Sequence, residues 1–193
     1  MDVKIIWPRT RKHVKEYLVG LIIGDGQIEQ KRITITDSSD EFLKNVAKIV
    51  RKYLGVNVTL HKRGDVNAYY MRIYGKDFVE NMKRLIPALK GRPTINFIRG
   101  FFDAEGTIYR EGKYIVIEIN QHDGPIIANL SIALRDRCIY SYIRYQEYLD
   151  KRRGKIYTRY ILRIKRKTSA YRFLTKVGLR HPKHLKVLGL HPL

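Results

Sequence analysis

Residues 18–26 read LVGLIIGDG, and residues 98–106 read IRGFFDAEG. Both stretches are apolar, both carry a small residue at every fourth position, and both end with a small residue, an acid and a glycine. The two acids, Asp25 and Glu105, lie 80 residues apart in the chain. Two such similar stretches at this separation indicate that the chain contains an internal repeat.

The same order of predicted elements follows each stretch. Apolar side chains at helical spacing precede each acid, and the period changes from about 3.6 to 2 after each acid–glycine pair. We therefore predict a helix, a β-hairpin, a second helix, two more strands and a closing helix, twice. Residues 87–93 (PALKGRP) are predicted to join the halves, and Cys138 is predicted to lie in a strand. The expected fold is α+β, with two pseudo-symmetric αββαββα halves over residues 1–90 and 91–193, each with an antiparallel four-stranded sheet.

Glycine spacing predicts how the two repeated helices pack. Gly20 and Gly24 lie four residues apart, and Gly100 and Ala104 repeat that spacing. Small residues at this spacing let helix backbones approach closely. Glycine inside a helix is unfavourable by about 1 kcal/mol relative to alanine, so close approach has to compensate. We predict that these four residues form the interface between the two helices.

This packing brings Asp25 and Glu105 together at the C-terminal ends of the helices. Two carboxylates repel there, and unpaired helix carbonyls add partial negative charge. A hard divalent cation resolves the conflict because carboxylate and carbonyl oxygens are the ligands that Mg²⁺ prefers, and paired Mg²⁺ ions support phosphodiester hydrolysis. The alternative is that each acid merely ends its helix before a capping glycine. The duplication and the charge of the chain favour the metal site.

The chain is strongly basic, with 39 Lys and Arg against 18 Asp and Glu and a formal net charge of +21 over 193 residues. Residues 1–95 carry 19 basic and 10 acidic side chains, and residues 96–193 carry 20 and 8, so the charge is not confined to a tail. It indicates a polyanionic partner, nucleic acid first and an acidic membrane surface second. We find neither a transmembrane-length apolar run nor a signal peptide, and expect a soluble, intracellular protein. The single cysteine excludes an internal disulfide and a multi-cysteine metal site.

Alternation along the predicted strands separates an apolar face from an outward face rich in Arg, Tyr, Gln and Thr. Such side chains hydrogen-bond phosphates and base edges, so the outward face suits a nucleic-acid groove, with plain solvent exposure as the alternative for each residue. The candidate DNA-binding residues are Gln27, Glu29, Arg32, Thr34, Thr36, Thr59, His61, Arg63, Tyr70, Arg72, Tyr74, Thr107, Tyr109, Tyr114, Glu118, Tyr140, Tyr142, Arg144, Gln146, Arg159, Arg163 and Lys165.

The two stretches resemble the LAGLIDADG motif, and nearly the whole chain resembles a monomeric, two-motif LAGLIDADG homing endonuclease. The resemblance implies a monomer whose two sheets form a saddle on double-stranded DNA, with the motif helices at its centre. It implies that Asp25 and Glu105 are catalytic and metal-binding, and that the carbonyls of Gly24 and Ala104 are further metal ligands. Mg²⁺ is the expected metal, with Mn²⁺ able to substitute and Ca²⁺ able to bind without supporting cleavage. Members cut both strands across the minor groove, leave short 3′ overhangs and recognise long sites, as suits intron- or intein-borne elements.

The chain departs from the family pattern at two positions. Ile23 stands where the first motif often has an acid, whereas Asp103 keeps the acid in the second motif. This position is not the metal-binding one. Glu105 replaces the usual aspartate and is a familiar variant.

The resemblance also implies catalytic side chains beyond the two acids. Members often place a polar residue at the end of the second strand, near the attacking water, and the matching positions are Asp37 and Gln121. For Asp37, a helix N-cap is an equal alternative. A lysine near the last helix of each half commonly supports phosphate or water, and Lys90 and Lys183 are the candidates. His122 is the histidine that we expect near the site.

Three functions are compatible with the sequence. The first is a metal-dependent, site-specific double-strand DNA endonuclease; the second is an RNA maturase that binds intron RNA; the third is a non-cleaving DNA-binding regulator. Retention of both acids favours the first, since the other two do not need metal ligands. We expect no membrane partner, and we place the protein in the cytoplasm or nucleoid of a hot-living prokaryote, an archaeon ahead of an organelle. Residues 179–193 are interpreted either as a short docking helix or as a frayed tail.

Overall fold

The structure, a computed structural model, describes residue 3 and residues 5–64, 68–150 and 154–190. The first half comprises α1 (Arg11–Asp25), β1 (Gly26–Ile28), β2 (Arg32–Asp37), α2 (Asp40–Leu54), β3 (Asn57–Lys62), β4 (Tyr69–Tyr74) and α3 (Lys76–Gly91). The second comprises α4 (Ile95–Glu105), β5 (Gly106–Glu111), β6 (Tyr114–Gln121), α5 (Gly124–Arg135), β7 (Tyr142–Asp150), β8 (Lys155–Ile164), α6 (Lys167–Lys176) and the short α7 (Pro182–Val187). The predicted α+β fold, with the order αββαββα repeated twice, is confirmed.

Each half contains one antiparallel four-stranded sheet, ordered β1-β2-β4-β3 in the first and β5-β6-β8-β7 in the second. The registers are equivalent, because Gly26 lies opposite Ile35 and Gly106 lies opposite Ile119. One face of each sheet is buried against the helices, as the predicted alternation requires. Its buried members include Ile33, Ile35, Met71, Ile73, Ile117, Ile119, Leu162 and Ile164. The other face is left for polar side chains.

The repeated helices begin with equivalent caps and differ in length by one turn. Thr10 accepts a hydrogen bond from the backbone N–H of His13, and Thr94 accepts one from that of Phe97. These side chains satisfy N–H groups that the first helical turn leaves without partners. From its cap, α1 runs for 15 residues and α4 for 11, and each ends on its acid.

Helices α1 and α4 pack against each other at the centre of the molecule, and their glycines lie at the contact. A Cβ added to Gly20 would lie 2.5 Å from the backbone nitrogen of Phe101. A Cβ added to Gly100 would lie 2.9 Å from the carbonyl carbon of Tyr17 and closer still to its oxygen. Since real Cβ atoms do not approach backbone atoms so closely, the glycines permit the observed separation of the helices. A single apolar core extends through both halves around this pair.

Three local expectations differ from the structure. Helix α3 continues through Pro87 to Gly91, because the proline removes only one helical N–H and Leu89 beyond it is buried in the core. Cys138 lies in the turn after α5 with φ 59°, not in a strand, and its N–H bonds to the carbonyl of Arg135. Strand β7 begins at Tyr142, so Tyr140 precedes it.

The C-terminal stretch docks on the rest of the protein. Arg180, His181, His184 and Leu185 are all buried, and α7 begins right after His181. Residues 191–193 of that stretch lie outside the described residues. Across the described parts of the chain, no helix combines the length and apolar character needed to cross a bilayer.

Candidate active site

The two acids meet where the central helices end. Asp25 is the last residue of α1 and Glu105 the last residue of α4. A Cβ added to Gly24 would lie 3.0 Å from Cγ and 3.6 Å from Oε1 of Glu105, so the Glu105 carboxylate lies beside the last turn of α1. The helix contact described above therefore brings one acid from each half into a common cleft.

The surroundings of these acids disfavour negative charge. Burial raises the pKa of Asp25, although solvent still reaches the side chain, and nearby Asp37 raises it further. Lys183, and to a smaller extent His181, lower the pKa of Asp25. Burial also raises the pKa of Glu105, followed by the negative charge of Asp25. A positive charge added between the two carboxylates would offset both their burial and their neighbouring negative charges, and would lower both pKa values.

Two predicted side chains contact the acid-bearing helix ends. Gln121, the last residue of β6, donates from Nε2 to Oε1 of Glu105 over 3.0 Å. The side-chain oxygen Oε1 of Gln121 accepts the backbone N–H of His122 at 2.8 Å, which fixes the orientation of the side-chain amide. Lys183 donates from Nζ to the carbonyl oxygen of Ala104 at 3.2 Å. Gln121 and Lys183 thus lie within the cleft that holds the two acids.

Asp37 occupies the equivalent place in the first half, but its partners differ. It is the last residue of β2, and both carboxylate oxygens lie 3.0 Å from Nε2 of His181. Oδ1 also accepts the backbone N–H of Ser39 at 2.6 Å. The N-cap of α2 is Ser39, whose hydroxyl accepts from the N–H of Phe42, so Asp37 is free of the capping role considered above.

Sequence reasoning missed His181. It lies 144 residues from Asp37, is almost fully buried and packs on the ring of Phe42 with centroids 4.5 Å apart. No metal-ligand spacing or local motif marks it. The expected histidine, His122, is exposed, and its Nδ1 pairs with the carbonyl oxygen of Thr158. Electrostatically, His122 lowers the pKa of Glu105.

Lys90 makes its described contacts with α5 and its N-cap. Its ammonium pairs with Asp123, the N-cap residue of that helix, and its carbonyl oxygen accepts from Asn129. These contacts tie α3 of the first half to α5 of the second. The catalytic role proposed for Lys90 by resemblance stays a prediction.

The donor set at the cleft fits a hard divalent cation. Two carboxylates lie at the ends of helices whose last carbonyls, including those of Gly24 and Ala104, have no helical N–H partner. All of these donors are oxygens, as Mg²⁺ and Mn²⁺ prefer. No group of three or more His, Cys, Asp and Glu side chains able to hold a metal occurs among the described residues. The remaining ligands would therefore be water and phosphate oxygens of a substrate.

The outward faces of the sheets place an arginine at equivalent positions. Across the first sheet Gln27, Thr34, Arg72 and Thr59 form one row. Across the second, the row is Thr107, Glu118, Arg163 and Tyr142. In the next row of the first sheet, Thr36 and His61 flank Tyr70, whose ring lies 4.7 Å from the guanidinium of Arg72.

The other predicted contact residues lie around these rows. Arg32 pairs with Glu29 at 2.8 Å, and Tyr74 lies opposite Arg32. Arg163 pairs with Glu118 and Glu111, and Arg159 donates to Gln146. The rest are Arg63 just past β3, Tyr109 and Tyr114 on the β5–β6 hairpin, Tyr140 before β7, Arg144 within it and Lys165 after β8. Their binding to DNA stays a prediction.

Comparison with known families agrees with this geometry. The LAGLIDADG-like domain matches the chain twice, over residues 12–87 and 93–178. The chain belongs to the LAGLIDADG-like domain family. The predicted resemblance is thereby confirmed, and Asp25 and Glu105 end the motif helices of the two LAGLIDADG copies.

Solved structures with this fold include a homing endonuclease. Mesophilic variants of the homing endonuclease I-DmoI share 20% identity with the chain at a TM-score of 0.65, covering 88% of this chain and 97% of theirs. I-DmoI in complex with DNA and Mn has a TM-score of 0.63 at 20% identity, covering 87% and 98%. The N-terminal LAGLIDADG domain of DUF199/WhiA has a TM-score of 0.64 at 21% identity, covering 91% and 87%. At these identities the likeness establishes the LAGLIDADG fold.

Curated relatives are much longer than the chain. A DNA polymerase of Thermococcus aggregans is 25% identical over 191 residues, which are 89% of this chain and 10% of the polymerase. An aminotransferase acting on glutamine and fructose 6-phosphate, from Methanocaldococcus jannaschii, is 27% identical over 58% of this chain and 12% of its own length. A reverse gyrase of Thermococcus kodakarensis is 26% identical over 78% and 10%. The chain thus spans about a tenth of each relative.

The acid that only the second LAGLIDADG motif keeps is fully buried. Asp103 accepts hydrogen bonds from the hydroxyl of Tyr17 at 2.7 Å and from Nε of Arg180 at 2.5 Å. Arg180 also donates to the carbonyl oxygens of Ile6, Arg99, Val177 and Gly178. This ion pair fastens the C-terminal segment (residues 179–190) onto both motif helices. The same segment delivers His181 and Lys183 to the cleft.

Proposed function

We propose that the protein is a metal-dependent, site-specific double-strand DNA endonuclease. The observation that carries the proposal is the placement of Asp25 and Glu105, one from each half, in a single partly desolvated cleft at the seam of a pseudo-symmetric molecule. A duplex has two backbones of opposite direction. Two related half-sites are suited to cut one strand each.

The residues of the cleft would have different roles in hydrolysis. Asp25 and Glu105, with the carbonyls of Gly24 and Ala104, would hold Mg²⁺. Mn²⁺ would substitute for it, and Ca²⁺ would bind without supporting cleavage. When bound, the cation supplies a Lewis acid for the scissile phosphate and activates water for attack. Gln121 and Asp37 would orient the attacking water. Lys183 would bind phosphate, and Lys90 is a further candidate for that task.

DNA binding would use the two outward sheet faces as a saddle. The predicted contact residues, with the Arg72 and Arg163 rows at their centre, would meet phosphates and base edges over a long site. The net charge of +21 supports this partner. Variants of I-DmoI, which shares this fold, have been solved in complex with their target DNA in the presence of Mn or Mg. We propose cleavage across the minor groove with short 3′ overhangs, by a monomer that acts on DNA inside the cell.

The curated relatives support a mobile origin. A DNA polymerase, a sugar-phosphate aminotransferase and a reverse gyrase perform unrelated reactions, yet each matches this chain over about a tenth of its length. What they share is therefore a module rather than a host activity. We infer that this module spreads between genes as an intron- or intein-borne element. The gap between the two family matches, residues 88–92, supports a division into halves 1–90 and 91–193.

Strand cleavage with matched variants tests the proposal. Wild-type protein, Asp25→Asn and Glu105→Gln are incubated with Mg²⁺ and DNA that spans the host locus without the insertion. Wild type should cut both strands, and each variant should be slower by at least about 100-fold, as for loss of a transition-state stabilising group. DNA affinity measured in Ca²⁺ and thermal unfolding control for binding and folding. Uncut DNA with wild type, or full cleavage by both variants, contradicts the proposal.

A further inference from the structure

The two half-sites are not chemically equivalent. Gln121 and Asp37 occupy matching ladder positions, two residues beyond Ile119 and Ile35. Gln121 is neutral and donates a hydrogen bond to Glu105. Asp37 in its ionised form has no proton to donate, and its negative charge raises the pKa of Asp25. The half-site of Asp25 therefore carries one more acceptor and one fewer donor than the half-site of Glu105.

His181 fixes the orientation of Asp37. Its Nδ1 accepts the backbone N–H of Lys183 at 3.1 Å, so Nε2 is the ring nitrogen that carries the proton. That N–H faces both Asp37 oxygens, each at 3.0 Å. Phe42 and His184 pack on the ring, and the side-chain exposures of His181 and Asp37 are 2% and 8%. These contacts and this burial restrict the Asp37 side chain to its observed orientation.

The contacts leave part of the carboxylate available. A carboxylate accepts about four hydrogen bonds in all. His181 approaches both oxygens, and Ser39 takes a second position on Oδ1. One acceptor position on Oδ2 is left by these described contacts.

We propose that His181 is a positioning residue for Asp37, and that the pair makes cleavage of one DNA strand depend on Asp37 while cleavage of the other depends on Gln121. This inference rests on the proposed nuclease function. Asp37 is the group that contacts the attacking water in the half-site of Asp25. His181 acts through its contact with Asp37 and is supplied by the C-terminal segment of the other half.

Strand-resolved cleavage is the main test. Duplex target is labelled differently on each strand and cut under single-turnover conditions with Mg²⁺. Asp37→Asn and His181→Ala should each slow the same strand by about tenfold or more, and Gln121→Leu should slow the opposite strand. His181→Gln, which keeps an N–H near the Nε2 position, should recover part of the lost rate. The double variant Asp37→Asn/His181→Ala should be no slower than Asp37→Asn alone.

His184→Phe is the matched control. His184 lies in the same buried segment, stacks on Phe102 and meets the ring of His181 edge to face, a ring contact that phenylalanine can keep. Its described contacts do not include Asp37, and burial lowers the pKa of His184 to about 2. The phenylalanine keeps a planar ring without the titratable group. It should leave the ratio of the two strand rates unchanged even if it shifts the unfolding temperature. A merely structural role for His181 would slow both strands equally.

Proton NMR of the metal-free protein tests the contact without cleavage. The ring N–H of His181 should give a downfield signal that disappears in His181→Gln, moves in Asp37→Asn and persists in His184→Phe. Equal slowing of both strands, additive effects in the double variant, or a signal unaffected by Asp37→Asn would overturn the inference while leaving the nuclease proposal intact. Failure of wild type to cut would overturn both.

Discussion

Replacing Gly100 by alanine should separate the two central helices. The new Cβ would lie 2.9 Å from the carbonyl carbon of Tyr17, closer still to its oxygen, and 3.1 Å from the backbone nitrogen of Leu21. Comfortable contacts of this kind are about 3.5–4.0 Å, and the Tyr17 oxygen is the closest atom, so the helices must part by roughly 1.5 Å. Backbone atoms cannot rotate out of the way as a flexible side chain would.

The expected loss of stability follows from two opposing effects. Forcing extra volume into a packed interior destabilises by about 1–3 kcal/mol, and a clash with backbone belongs at the upper end. The intrinsic helix preference of alanine over glycine returns about 1 kcal/mol. We therefore expect Gly100→Ala to lower the free energy of unfolding by about 2 kcal/mol. For a chain of this size that corresponds to roughly 4–8 °C in unfolding temperature.

Gly91→Ala is the matched control. Gly91 is also helical, as the last residue of α3, and a Cβ added there meets no atom within 4 Å. That variant should be neutral or slightly more stable. Both are compared by thermal and urea unfolding. Equal unfolding temperatures for Gly100→Ala and Gly91→Ala would refute the inference that the glycines set the helix separation.

Three further predictions concern charge. Because the pKa values of Asp25 and Glu105 are raised in the folded state, the native protein binds more protons than the unfolded chain, and these groups reduce stability as the pH rises through their titration. Asp25→Asn should thus raise the metal-free unfolding temperature at pH 7, with the gain vanishing near pH 3; no gain at pH 7 would argue against this. Truncating the fully buried Arg180 to Met leaves the Asp103 carboxylate without its cationic partner and should destabilise by about 3–5 kcal/mol in urea unfolding, whereas Arg180→Met/Asp103→Leu should lose less. Arg72→Ala should reduce the slope of log affinity for target DNA against log salt by about 0.9, and an unchanged slope would remove Arg72 from the phosphate contacts.

Local signals made the central architecture predictable from sequence. The small-residue spacing and the apolar periodicity of the two motifs mark the helices, and the switch to a period of two marks the hairpins. Each motif places its acid at the end of its helix. The pairing of Asp25 with Glu105 therefore follows if the glycines mark the contact between the two helices. Gln121 was proposed through the family resemblance, because it lies at the end of the second strand of its half, where members often place a polar residue.

Other features of the cleft depend on long-range contacts that leave no local pattern. His181 reaches Asp37 across 144 residues, and Arg180 reaches Asp103 across 77. The sequence left residues 179–193 open between a helix and a tail because α7 has only six residues. Extension of α3 past Pro87 was missed for a related reason: burial of Leu89 in the core outweighs the local preference of the proline to break the helix.

The fastening of the C-terminal segment also has a consequence during synthesis of the protein. Both motif acids emerge from the ribosome well before residue 183. Lys183 and the histidine that contacts Asp37 are made only with the C-terminal segment. A nascent chain that has folded its first half and both motif helices would thus lack part of its machinery. On the proposed nuclease function, a translation product that stops before residue 181 should cut DNA more slowly than the full chain.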